Sequence, residues 1–261
     1  YGVGAYDYLN MVTLQGILDA AEESNTPVIV QFPHIEYEEF DKVVDAVAAM
    51  TISRAKHSDV PVCLHLDHGR TVEACKRCAD LGFTGVMIDA SMHPYEKNVE
   101  ITKEVVEYCR PLGVSVEAEI GHVGQGSDIS SCAYTDVDEA VRFVDETGVD
   151  ALAVSIGNAH GAYKAEPKIN YEVLEQIEER VSIPLVLHGG SGIPDTDFKK
   201  IIKHGIAKIN IFTELTEKTA EELHKIPADK LDLFSSLDAV RTGFKKKTLE
   251  KIELFETKPI K

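Results

Sequence analysis

The sequence predicts an α/β fold, a closed (β/α)8 barrel of the TIM type, as a single domain over residues 1–261 with an extra C-terminal helix. Three observations carry this reading. Short apolar runs alternate with longer helical patterns from one end of the chain to the other, eight times over. The runs are near-continuously apolar, as in VPVCLHL (60–66) and ALAVSI (151–156), which is how strands covered on both faces read. No composition break or linker interrupts the 261 residues, and an α/β barrel takes about 250 residues as one domain. The structural alternative, a doubly wound open sheet, more often has fewer strands and a Gly-rich turn after the first.

In chain order, the expected strands are Val3–Tyr6, Val28–Phe32, Val62–Leu66, Gly85–Asp89, Ser115–Glu119, Ala151–Ile156, Leu185–Leu187 and Lys208–Phe212. Each is followed by a segment that can be helical. LQGILDAAEE (14–23), FDKVVDAVAAMTISRA (40–55), VEITKEVVEYCRPLG (99–113) and DEAVRFVDETG (138–148) place apolar residues at i, i+3 and i+4 and stop at glycine or proline. From about Asp229 the tail, through FKKKTLEKIELF (244–255), reads as the extra helix, which would cover an edge or a partner subunit.

Composition narrows the function. Apolar content of 44% and charged content of 27% are ordinary for a globular chain. No apolar run approaches the roughly 20 residues of a membrane span, and the start YGVGAYDYLN lacks the basic and apolar regions of a secretion signal. A net charge of −17 repels nucleic acid and anionic membranes, so neither is an expected partner. Cys63, Cys75, Cys78, Cys109 and Cys132 are an odd set in a chain that needs no staples, which fits a reducing cytoplasm. The lone Cys75-x-x-Cys78 has no second pair at matching spacing and reads as ordinary helix positions.

The chemistry lies at the strand ends, where such barrels place their active sites. Strand three ends in Asp67 and His68, strand four in Asp89 and strand five in Glu119; strand six leads to His160, and strand seven to His188. A single buried histidine is more often a satisfied core group than a ligand. Five consecutive strands ending in metal- or proton-handling side chains are hard to explain as structure alone. His68, His160 and His188 each precede glycine, and three imidazoles with a vacant fourth position are what a catalytic zinc needs. The loop HGGSGIPD (188–195) and the segment NIFTEL (210–215) offer backbone N–H groups and helix starts to an anion. Loops seven and eight are the usual phosphate position in this fold. His34, His93 and His122 lie on loops near the active face, while His57, His204 and His224 read as surface residues.

Taken together, LHLDHG (64–69), VEAEIG (116–121), GNAHGAYKAEPKINYEVLEQI (157–177), PLVLHGGSGIP (184–194) and GIAKINIFTEL (205–215) resemble the class II, metal-dependent fructose-bisphosphate aldolase family, which includes tagatose-bisphosphate aldolases. The similarity covers nearly the whole chain. It implies reversible cleavage of fructose 1,6-bisphosphate to dihydroxyacetone phosphate and glyceraldehyde 3-phosphate through a zinc-stabilised enediolate. His68, His160 and His188 match the ligands of the catalytic Zn2+, and Asp67 matches the acid/base for the C4 hydroxyl proton. That task suits a carboxylate whose pKa is raised in a dry pocket. Asp89 and Glu119 match positions near a second or alternative divalent metal in some members. Gly161, Gly189, Gly190, Ser191, Asn210, Ile211, Phe212 and Thr213 match the cradle for the dihydroxyacetone phosphate half, beside which the family often uses a monovalent cation (Na+ or K+). Arg241 aligns with an arginine that reaches the distal phosphate, sometimes across a subunit boundary. That favours fructose over tagatose bisphosphate, small sugar phosphates as partners, and a homodimer or homotetramer.

The chain departs from the family in three places. After strand five, family members carry a glutamate on a loop resembling GGxED that moves the enediol proton. Here the stretch GHVGQGSDISSCAYTD (121–136) has Asp128 and no glutamate. After strand two, VIVQFP runs directly into HIEYEEF without the usual Ser/Gly-rich segment, and AYDYLN stands where the family has a Phe-Asn pair. Two other readings therefore stay open. One is a non-catalytic sugar-phosphate-binding homologue that lost the loop base. The other is a barrel aldolase using a lysine Schiff base, for which Lys208 is the nearest candidate, at the wrong end of its strand.

Overall fold

Every apolar run expected to be a strand is one. The computed structural model describes residues 1–34, 39–121, 123, 134–159, 161 and 168–261. Among them, β1 (Val3–Asp7), β2 (Val28–Pro33), β3 (Val62–Gly69), β4 (Gly85–Ile88), β5 (Ser115–Ile120), β6 (Ala151–Val154), β7 (Leu185–Leu187) and β8 (Ile206–Ile211) lie parallel in chain order. β8 pairs back onto β1, from Val3 opposite Lys208 to Tyr6 opposite Ile211, and closes the barrel. The ring of helices is α1 (Met11–Ser24), α2 (Phe40–Ala55), α3 (Val72–Asp80), α4 (Tyr95–Cys109), α5 (Val137–Thr147), α6 (Tyr171–Arg180), α7 (Asp195–Lys203) and α8 (Thr213–His224). Local chemistry sets their ends. The Asn10 side chain accepts from the N–H groups of Val12 and Thr13 to start α1, and Asp136 accepts from Glu139 to start α5. None of the described helices is long and apolar enough to cross a membrane.

β6 stops two residues earlier than the apolar run suggests, because side chains take the next backbone groups. The Ser155 N–H donates to Thr135 Oγ1 at 2.8 Å and the Ile156 N–H donates to Asn158 Oδ1 at 2.8 Å, so neither is free for the strand ladder.

Period-two alternation sorts each strand into two faces. Val28, Val30, Phe32, Leu64, Leu66, Val86, Ile88, Val116, Ala118, Ile209 and Ile211 join the apolar cluster under the helices. The alternate residues Gln31, His65, Asp67, Glu117, Glu119, Lys208 and Asn210 are buried as well. Several touch across strands that are not neighbours: Lys208 of β8 reaches Glu117 of β5, and Asn210 of β8 reaches Asp67 of β3. Such contacts cross the barrel interior. This interior is thus polar, where barrels of this type usually stack Val, Ile and Leu.

The extra helix is α9 (Leu233–Leu254), started by a capping box between Asp232 and Ser235. It packs on α1 and α8, covering the seam where the first and last helices meet. Gly16 of α1 makes the close approach possible: a Cβ there would lie 2.5 Å from the Arg241 carbonyl oxygen.

Candidate active site and metal centre

Asp67 and His68 are consecutive, yet both reach the barrel mouth. A regular strand sends neighbours to opposite faces. β3 escapes this with a bulge, since three steps from Leu66 to Gly69 match two from Val86 to Ile88 on β4. His68 absorbs the mismatch with a φ of +48°. That left-handed conformation costs a residue with a Cβ on the order of 1–3 kcal/mol, the kind of strain that collects at functional sites.

His188, at the end of β7, is fully buried, and its Nδ1 lies 3.0 Å from His68 Nε2. Each ring is held from its far side. His68 Nδ1–H donates to Asp89 Oδ2 at 2.8 Å, and His188 Nε2–H donates to Glu117 Oε1 at 2.8 Å. With both imidazoles neutral, the two nitrogens that face each other both carry lone pairs and repel unless a proton or a metal ion lies between them. Asp67 completes the group: ligand atoms of Asp67, His68 and His188 all lie within 4.8 Å of one another, and so do those of His68, Asp89 and Glu119. Imidazole nitrogens backed by carboxylates are the donor set of a borderline divalent ion, so the residues fit a metal.

The charges point the same way. Burial alone would lower the His68 pKa, but Asp67, Asp89 and Glu119 around it raise it to about 10. Burial and the nearby Asp89 carboxylate push Glu119 up to about 8. Burial works to raise Asp89, yet its bond to His68 and those from Ser91 hold it well below the usual carboxylate range. The negative cluster thus collects positive charge, as a proton on His68 or as a metal ion.

Asp67 reverses one expectation. Burial does act to raise its pKa, but the charges of His68, His188 and Lys208 outweigh burial and lower it. Its carboxyl is thus held ionised by its neighbours, and Asn210 Nδ2 donates to its Oδ1 at 2.9 Å.

The proposed phosphate cradle sits beside this cluster. Gly190 lies so close to the end of β8 that a Cβ there would be 2.9 Å from the Asn210 carbonyl oxygen. Ser191 is buried, and its hydroxyl accepts from the Glu214 N–H at 3.4 Å, in the first turn of α8. Thr213 opens that helix, with Ile211 and Phe212 just before it. Gly189 and Gly161 turn with φ of +63° and +79°.

Arg241 is not brought to this group within its own chain. Its Nε donates to Asp19 of α1 at 2.5 Å, in the outer layer of helices, because α9 is pinned along α1. His160, the expected third imidazole, lies outside the described residues, as do Asp128 and most of the departing stretch after β5, and residues 35–38 of the departing stretch after β2.

Two participants, Glu117 and Asn158, are not singled out in the sequence, and a third, Lys208, enters there only as a Schiff-base candidate. Glu117 backs His188 and Lys208 backs Glu117 at 2.8 Å. Asn158 donates through Nδ2 to the His188 carbonyl oxygen at 2.9 Å, tying the loop after β6 to the end of β7. The signal for Glu117 was its two-residue spacing from Glu119; for Asn158 it was its place beside His160 in the NAHG run.

Comparison with known proteins agrees with the geometry. A family model described as fructose-bisphosphate aldolase class-II matches residues 1–259. The chain is 45% identical over 244 residues to a 6-phospho-5-dehydro-2-deoxy-D-gluconate aldolase of Halalkalibacterium halodurans, covering 90% of this chain and 82% of that protein. It is 41% identical over 266 residues to a fructose-bisphosphate aldolase of Staphylococcus epidermidis, covering 98% and 92%. Among solved structures, the YdjI aldolase of Escherichia coli K12 superposes with a TM-score of 0.88 at 40% identity, again over 98% and 92%. The chain belongs to the class II fructose-bisphosphate aldolase family.

Proposed function

We propose that this chain cleaves fructose 1,6-bisphosphate reversibly to dihydroxyacetone phosphate and glyceraldehyde 3-phosphate, with zinc held by His68, His160 and His188. The observation that carries the reading is the opposed pair of imidazole nitrogens, 3.0 Å apart and ringed by Asp67, Asp89 and Glu119. When bound, zinc supplies Lewis-acid stabilisation of the charge that develops on the ketose oxygens. The protein's own residues do the rest. Asp67, held ionised and oriented by Asn210, takes the C4 hydroxyl proton on cleavage and returns it on condensation. Gly189, Gly190, Ser191 and the first turn of α8 seat the phosphate of the dihydroxyacetone half. The same reading takes residues 1–261 as one catalytic domain in the cytoplasm. It gives Asp89 and Glu119 to a second divalent ion and sets Na+ or K+ beside the phosphate. The exposed Leu233 and Phe234 (67% and 80%) at the start of α9 support a homodimer or homotetramer.

A second reading, a tagatose 1,6-bisphosphate or other ketose-phosphate aldolase, is favoured by one observation. Arg241, the expected reader of the distal phosphate, is engaged with Asp19 on the outer layer. The test is a side-by-side cleavage assay with fructose 1,6-bisphosphate, tagatose 1,6-bisphosphate and 6-phospho-5-dehydro-2-deoxy-D-gluconate. The first reading expects the highest kcat/KM on fructose 1,6-bisphosphate. A higher value on either other sugar supports the second, and no cleavage of any would mean a binder whose loop base is gone.

A further inference from the structure

The barrel floor beneath His188 holds ionic groups that the reaction described above does not use. Glu117 is buried, and its two oxygens go separate ways. Oε1 accepts from His188 Nε2 at 2.8 Å, while Oε2 accepts from Lys208 Nζ at 2.8 Å and lies 3.5 Å from His65 Nε2. β5 and β8 are not neighbours in the barrel, so the bridge exists because both side chains point inward. A buried ion pair is costly to desolvate and seldom adds net stability over an apolar filling. Its geometry serves His188 instead. An ionised carboxylate can only accept, so the imidazole proton of His188 stays on Nε2, and Nδ1, which faces His68, keeps its lone pair.

We propose that Glu117 and Lys208 are a positioning pair for the metal centre. Glu117 fixes the tautomer and ring direction of His188, and Lys208 anchors Glu117 from the opposite wall and balances its charge. Neither residue touches substrate. The proposal rests on the reading of His188 as a zinc ligand.

The test measures zinc affinity by competition with a zinc-binding dye, alongside the Tm of the metal-free protein. It compares the wild type, Glu117→Gln, Lys208→Met and the double variant Glu117→Gln/Lys208→Met. Loss of a carboxylate behind a metal-bound histidine typically weakens binding about 10–100-fold, and that loss is expected in Glu117→Gln. Its Tm should fall too, because Lys208 is left buried without its counter-charge. In the double variant, removal of that unpaired charge should bring the Tm back toward the wild-type value while zinc affinity stays low. This split separates positioning from mere packing, and the double variant keeps the test decisive if Glu117→Gln does not fold. Wild-type zinc affinity in Glu117→Gln, or recovery of affinity together with Tm in the double variant, would overturn the pair's role and leave the metal reading intact. A wild-type chain that binds no zinc would overturn both.

Discussion

Glu117 and Glu119 stand two residues apart on β5, both facing the barrel interior and both almost fully buried. Their surroundings drive them in opposite directions. Burial would raise Glu117, but Lys208 and His188 hold it well below the ordinary carboxylate range. Glu119, one layer nearer the mouth, meets burial and the Asp89 carboxylate and rises to about 8. The lower layer is neutralised by the protein's own lysine. The upper layer is left with surplus negative charge, which is the condition for drawing a cation to the mouth. One strand thus separates an ionic layer balanced from within from one whose negative charge is left open.

The largest effect should come from breaking the upper layer at its centre. His188→Ala should remove zinc and cleavage together. Lewis-acid stabilisation is worth several kcal/mol and each factor of ten about 1.4 kcal/mol, so kcat/KM should fall by roughly a thousandfold or more. An active variant without zinc would refute the ligand assignment. Asp67→Ala comes next: zinc content and fold should persist, while kcat drops by about 10²–10⁴-fold, the range for loss of a general base. Near-normal turnover would place the acid/base elsewhere.

How much of this was readable in advance divides along the same layers. The strands, the barrel and the run of polar strand ends were legible, because period and punctuation are local properties of the chain. The lower layer was not. On strands buried on both faces, Glu117 and Lys208 look the same whether they point into the barrel or out under helices, and their contact joins residues 91 positions apart. Nor does the sequence show the β3 bulge that turns Asp67 and His68 toward one site, since nothing in LHLDHG requires a positive φ at His68. Arg241 shows the same limit: a motif match gives its place in the chain, while close packing of α9 at Gly16 sets its partner within the chain, Asp19.

Two smaller effects would sharpen the comparison. Glu119 has an ordinary pKa of 4.5 and a folded value of about 8. Its contribution to stability is therefore fully present below pH 4.5, falls as pH rises, and is lost above about 8. In metal-free protein, Glu119→Gln should match wild type near pH 4 and exceed it by up to a few kcal/mol at pH 8, at about 1.4 kcal/mol per pKa unit. Denaturant titrations at both pH values check this, and a pH-independent difference would show that Glu119 carries no such burden. The smallest change is expected at the phosphate seat. Ser191→Ala removes one hydroxyl and should raise KM by about 2–10-fold, the equivalent of a 0.5–1.5 kcal/mol hydrogen bond, with kcat little altered.

The central claim is that the charge left open at the barrel mouth is completed by one catalytic metal ion. Its most direct test is to strip the protein with EDTA and titrate zinc back while following bound metal and aldol cleavage together. The account predicts no cleavage in the stripped protein and activity rising in proportion to zinc up to one ion at the His68–His188 site. Full cleavage with the metal removed would contradict it.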